Sequence, residues 1–286
     1  MSYTKREESG NVFDAASGDA QMNWAMEKAR HTLGYFRESL ADPSEEQYGF
    51  SLKVRIEDEN GVEHMWIGDL SLDEDGLFYG TLDSDPVMVQ NVKAGTRIGI
   101  PVDAISDWLV VEEGRLIGGY TIRVYRESLS PEERQEFDKG FGVTFDYGVD
   151  YFEHDMTTPE GAILCLEDAY SNGDLEAALA CKDFETEARM LLERLPNFED
   201  QVDELVESTA ETLRLSFEAH FRGGAMPNFD GILRAFPERE FLDPDTVLVS
   251  EICYHPDGKL TLDRLLVTRH GKEWRVGPPI NGDEDE

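Results

Sequence analysis

An α+β fold in two domains is predicted from three features. The chain has 286 residues, 40% of them hydrophobic. Its apolar positions also change from helical spacing to period two, once in each half. A chain this long exceeds the usual size of a single domain, and that apolar content is enough to give each of two domains a core. Helices followed by antiparallel runs are the pattern of α+β proteins. The boundaries read as a polar arm over 1–18, a first domain over 19–128, a linker over 129–157, a second domain over 158–280 and an acidic tail over 281–286.

In the first domain Met22, Ala25, Met26, Ala29, Leu33 and Phe36 recur at i, i+3/i+4, which predicts an amphipathic helix with Asp19 as its cap and Asp42-Pro43 as its stop. Phe50, Leu52, Val54 and Ile56 then alternate with polar residues as a half-buried strand. A turn at Glu59-Asn60-Gly61 leads to a partner strand over His64–Leu70. Asp73-Glu-Asp-Gly76 is another turn; it lacks the downstream ligands of a twelve-residue calcium loop. Leu77–Leu82 and Gly95–Ile100 follow as strands, then Val102–Val111 with a corner at Ser106-Asp107-Trp108, then a last strand over Leu116–Val124.

The second domain opens at Thr158-Pro159-Glu160, a hydroxyl cap with proline in the first turn. Ile163, Leu166, Ala169 and Tyr170 form the buried stripe of that helix, and Asn172-Gly173-Asp174 ends it. Two short helices and a long one over Glu199–Phe221 come next. Period two returns in Thr246–Tyr254, Leu260–Thr268 and Trp274–Val276, an antiparallel meander.

The order of the first-half pieces, in particular Ile105-Ser-Asp-Trp108 and Gly118-Gly-Tyr-Thr121, resembles the YegJ-type bacterial domain of unknown function over about Asp19 to Arg126. That resemblance implies a small α+β module with no established activity. A similar Ser-Asp-Trp segment occurs in domains associated with bacterial toxin immunity, an analogy at the level of the fold. In the second half, the block over 169–178 and the closing Trp274-Arg-Val276 resemble the cone-shaped fold shared by nuclear-transport-factor-like proteins and ketosteroid isomerase.

The net charge is −35 and is spread along the chain: residues 1–150 carry 14 basic and 30 acidic side chains, residues 151–286 carry 12 and 31. Such a field repels nucleic acid and anionic membrane and steers a cationic partner. It is also the signature of a salt-adapted surface. Three cysteines without metal-like spacing, no apolar h-region and no apolar run of 18 residues lead to the expectation of a cytoplasmic protein without disulfides.

Chemistry has little local support. Cys165, Cys181 and Cys253 read as buried thiols, the six histidines are scattered, and no phosphate-binding glycine motif follows a strand, so no catalytic residue, metal ligand or cofactor is expected. Asp107 beside Trp108 is the one candidate for an unusual acid. Ordinary turn chemistry of Ser106 and Asp107 is the simpler reading. Glu251 and Asp263 are candidate pocket carboxylates if the second domain encloses a ligand. Three functions fit. The first is a non-enzymatic acidic interaction protein, most concretely an immunity-type protein that neutralises a basic toxin. The second is a small-ligand or acid–base site in the second domain, and the third a housekeeping domain with a salt-adapted surface.

Overall fold

The computed structural model describes residues 4–5, 13–14, 20–145, 148–195, 202–224 and 226–280, which belong to two compact units, Met1–Phe152 and Glu153–Glu286. In the arm, β1 (Thr4–Lys5) and β2 (Phe13–Asp14) pair antiparallel. Asp19 and the tail over 281–286 lie outside the described residues.

The predicted first helix is two helices, α1 (Ala20–His31) and α2 (Leu33–Ala41). Thr32 divides them, and its hydroxyl donates to the Lys28 carbonyl. Both helices turn apolar residues toward one face of a seven-stranded sheet. Its strands are β3 (Gln47–Asp58), β4 (Gly61–Leu72), β5 (Phe78–Leu82), β6 (Arg97–Ile100), β7 (Ile105–Glu112), β8 (Arg115–Gly118) and β9 (Thr144–Phe145). The order across the sheet is β6-β5-β4-β3-β7-β8-β9, antiparallel except for β8–β9. Phe36 and Trp108 are fully buried, their rings 5.4 Å apart, among Ala29, Leu52 and Phe78. Burying one such side chain contributes about 2–3 kcal/mol.

Two readings of this half need correction. Ser106-Asp107-Trp108 is no corner: it lies inside β7, with Ser106 at a register shift against β3. Leu116–Val124 is not one strand either. β8 ends at Gly118, and α3 (Tyr120–Glu127) begins after Gly119. The stretch over 129–157, read as a linker that opens with a charged helix over 130–139, does begin with such a helix. A capping box of Ser130 and Glu133 starts α4 (Pro131–Phe141), β9 joins the sheet, and Tyr151 stacks on Tyr35 at 3.9 Å.

Among its described residues the second unit has helices α5 (Pro159–Asn172), α6 (Leu175–Cys181), α7 (Phe184–Glu193) and α8 (Val202–Arg222). Thr158 caps α5 by accepting from Gly161 N, and Gly173 ends it at φ 66°. The sheet that follows has strands β10 (Leu233–Asp243), β11 (Thr246–Tyr254), β12 (Leu260–His270) and β13 (Glu273–Pro279), paired in chain order and all antiparallel. The chain is therefore α+β in both halves. β10 went unread in the sequence because Pro237 and a run of charges interrupt its alternation. Pro237 sits where the β10–β11 register shifts, the position an edge strand allows proline.

Candidate functional site

In the first unit the chemistry-bearing residues converge on β7. Asp107 is fully buried and accepts four hydrogen bonds: from Trp108 N and Tyr120 N at Oδ1 (2.8 and 3.1 Å), and from Thr121 N and Thr121 Oγ1 at Oδ2 (2.8 and 2.6 Å). Gly119, the residue before α3, has no side chain with which to cap it. Asp107 supplies that cap from a neighbouring strand, placing negative charge at the helix N-terminus. Burial pushes its carboxyl up, and the hydrogen bonds from Thr121 together with the Lys53 charge oppose this. Four donors occupy the lone-pair positions a carboxylate offers, so none remains for a proton in transit.

Trp108 fixes the other side of this node. Its indole N–H donates to the Ala29 carbonyl (3.0 Å) and to Thr32 Oγ1 (3.1 Å), at the break between α1 and α2. Gly118 has φ 70°, and a Cβ there would stand 2.6 Å from Trp108 Cε3. Only glycine satisfies both conditions.

Ser106 Oγ lies 3.1 Å from the Lys53 carbonyl, to which it can donate, and 2.8 Å from His64 Nδ1. Burial, with the charges of Lys53, Arg55 and Arg30, brings the His64 pKa down to about 4. Arg30 reaches the same place, its Nε 3.4 Å from the Ile105 carbonyl.

In the second unit α5 presents Glu160 and Glu167, seven residues apart on one helix face, to β10. Arg239 pairs with Glu160 (2.5 Å, side chains 4% and 0% exposed) and Arg234 with Glu167 (2.7 Å). The two arginines are five positions apart, an odd number that would normally send them to opposite faces. The register shift at Pro237 restores them to one face, opposite Val249 and Cys253. Glu251 and Cys253 alternate onto that same face of β11.

Glu167, Glu251 and Cys253 bring a carboxylate oxygen, a second carboxylate oxygen and a thiol sulfur within 4.8 Å of one another, all three residues buried. Glu251 is 3% exposed, and among the described residues its Oε1 has no N–H or hydroxyl donor. Burial raises the Glu251 carboxyl well above its usual range, with Glu167 adding to the shift; burial also raises Glu167 to about 7 and Cys253 to about 12. Asp263, paired directly across from Glu251 in the β11–β12 register, is exposed. The two predicted carboxylates are thus neighbours with opposite environments. A groove of about 650 Å³ between α7 and α8 is lined by neither of them but by residues including Phe184, Arg189, Val206 and Arg214.

With this geometry in view, the similarities to known proteins can be placed. Residues 19–145 match the family described as uncharacterized proteins conserved in bacteria, DUF2314. The match runs from the start of α1 to the end of β9. The chain is 34% identical over 87 residues to the uncharacterized protein YegJ of Escherichia coli K12, covering 30% of this chain and 56% of that one. It is 36% identical over 143 residues to a Neisseria meningitidis serogroup B protein named as an ankyrin repeat protein, covering 47% and 56%. The chain thus spans just over half the length of these curated relatives. A solved structure titled as an NTF2-like transpeptidase of Campylobacter jejuni aligns at 10% identity with a TM-score of 0.24, covering 42% of this chain and 98% of that one. A likeness so slight carries nothing about chemistry.

The matched region contains the whole Asp107 node. Ser106, Asp107 and Trp108 join β7 to β3 and β4, to the start of α3 and to the α1–α2 break. Sequence reasoning missed Glu167 and its partner Arg234 beside Glu251 because α5, β10 and β11 bring them together from distant parts of the chain, and missed Cys253, two positions on along β11, because its thiol reads as a buried core residue. One signal was present: Glu251 interrupts the apolar run Val247–Cys253, as Glu167 interrupts the apolar stripe of α5.

Proposed function

We propose that this protein is a non-enzymatic interaction protein whose acidic first unit receives a basic protein partner, most concretely a bacterial toxin that it neutralises. The observation that carries this reading is a pinned loop over 83–96, between β5 and β6. Glu63, only 6% exposed, accepts from Val87 N and Met88 N at 2.8–3.0 Å. Asp58 accepts from Gln90 N (2.6 Å), Asp85 from Ala94 N (2.9 Å), and Val89 is buried in the core. A buried carboxylate is thus committed to holding Val87 and Met88 outward, 49% and 37% exposed. Asp58, Glu59, Asp83 and Asp85 lie along the same loop and the hairpin tip it covers. A small apolar centre held rigidly within an acidic rim is the layout of a recognition surface, and the rim selects for positive charge.

Affinity purification from the source cell at low salt tests this. A basic protein is expected to be retained, to be released as salt rises, and to be lost with Met88→Glu while the chain stays folded. Co-expression should relieve growth inhibition by that protein. Retention of no basic partner, or retention indifferent to both salt and Met88→Glu, would sink the reading.

A further inference from the structure

Glu167, Glu251 and Cys253 make a problem that a protein side chain does not solve. Two carboxyl groups this close, removed from water, either share a proton or keep both charges with a cation between them. Arg234 gives its hydrogen bonds to Glu167, with Nε and Nη2 both 2.7 Å from Oε2, and its charge favours both carboxylates. Glu251 Oε1 is left buried without a donor, and the third group within reach is a thiol.

We propose that these three residues form a binding site for a thiophilic, borderline divalent cation of the zinc class. Two carboxylate oxygens and one sulfur are a donor set that suits zinc and does not suit magnesium or calcium, which take oxygen ligands alone. The charges close as well. Two carboxylates and a thiolate exceed a divalent ion by one negative charge, and Arg234 supplies the balancing positive one. Three protein donors leave a fourth position for water or for Asp263, which faces Glu251 across the β11–β12 pair at the exposed rim. Binding would deprotonate Cys253 and take up the proton position beside Glu251, so protons leave as the ion enters. The site belongs to the second unit and is independent of the loop over 83–96.

Cobalt(II) serves as the probe, because a Co–thiolate bond has a charge-transfer absorption that carboxylate ligation lacks. The purified full chain, stripped with a chelator, is titrated with Co²⁺ and then with Zn²⁺. One equivalent of Co²⁺ is expected to produce the band, with release of protons, and Zn²⁺ to remove it. Cys253→Ser should abolish the band, whereas the Cys165→Ser/Cys181→Ser variant should keep it. Glu251→Gln, which preserves side-chain shape and tests the site without touching the thiol, should weaken Co²⁺ binding about tenfold or more. No band in the wild-type chain would mean that the two carboxyls share a proton and would overturn the site. A band that survives Cys253→Ser, or binding unchanged by Glu251→Gln, would do the same.

Discussion

Asp183 closes three contacts with one carboxylate. As the cap of α7 it accepts from Thr186 N (3.0 Å) and Thr186 Oγ1 (2.7 Å), and it also accepts from Thr268 Oγ1 and from His270 Nε2 (2.9 Å) on β12. Burial works against its charged form, but the hydrogen bonds from Thr186, Thr268 and His270 outweigh burial and hold the pKa at about 2, below the ordinary 3.8. The sign follows from linkage. The unfolded chain binds the proton first, so the contribution is complete above about pH 4 and is lost as pH falls toward 2. Its size is up to about 2 kcal/mol. Asp183→Asn is expected to be less stable than wild type in urea at pH 6, with the difference shrinking to nothing by about pH 2. A difference that stays constant over that range would show the carboxylate charge to be irrelevant. None of this was legible from the sequence, where Asp183 reads only as one more acidic residue before a helix. Its partners on β12 are 85 and 87 positions away.

At the scale of elements, α3 depends on a residue outside itself. Asp107→Ala removes all four of its acceptor bonds at once and leaves the half-buried Lys53, whose Nζ is 3.1 Å from Thr121 Oγ1, without its counter-charge. A cost of about 3–5 kcal/mol is expected, the range for breaking a buried charged contact. The first turn of α3 should also lose amide protection. Hydrogen exchange at Tyr120 and Thr121 checks this: slow exchange retained in Asp107→Ala would mean that α3 is capped by something else. The same element shows where local reading fails. Leu116–Val124 is rich in β-branched and aromatic residues and reads as one strand, but Gly118 and Gly119, at φ 70° and 63°, turn the chain, and Asp107 then offers acceptors for a helix start. Two left-handed residues and a distant cap overrule propensity. α5 was legible to its ends, because Thr158-Pro159 and Gly173 carry their own start and stop.

For the molecule as a whole, the sequence disclosed the charge of −35 but not its division of labour. Among the described residues Glu63, Asp107, Asp150, Glu160, Glu167, Asp183, Glu218 and Glu251 are buried. Seven of them hold backbone amides, a lysine or arginines, and the eighth is the residue with an orphaned oxygen. The remaining acids act mainly as a field of one sign, which opposes the compact state by self-repulsion. Raising salt from about 0.01 M to 1 M shortens the screening length roughly tenfold. The melting temperature is therefore expected to rise by a few degrees over that range while affinity for a basic partner falls. A melting temperature that does not rise would show that the acids are already compensated locally.

The two larger sheets also constrain how this molecule can meet another. Pro237 interrupts the outer strand β10, and Pro278 and Pro279 end the opposite outer strand β13. In the larger sheet the outer strands are four and two residues long, and Pro101 follows the first of them. Among the described residues neither of these two sheets offers a long row of free amides on which a foreign strand could be added. A partner is thus left to read side chains, and the acidic chain gains protection from edge-to-edge polymerisation without enlisting its charge for that purpose.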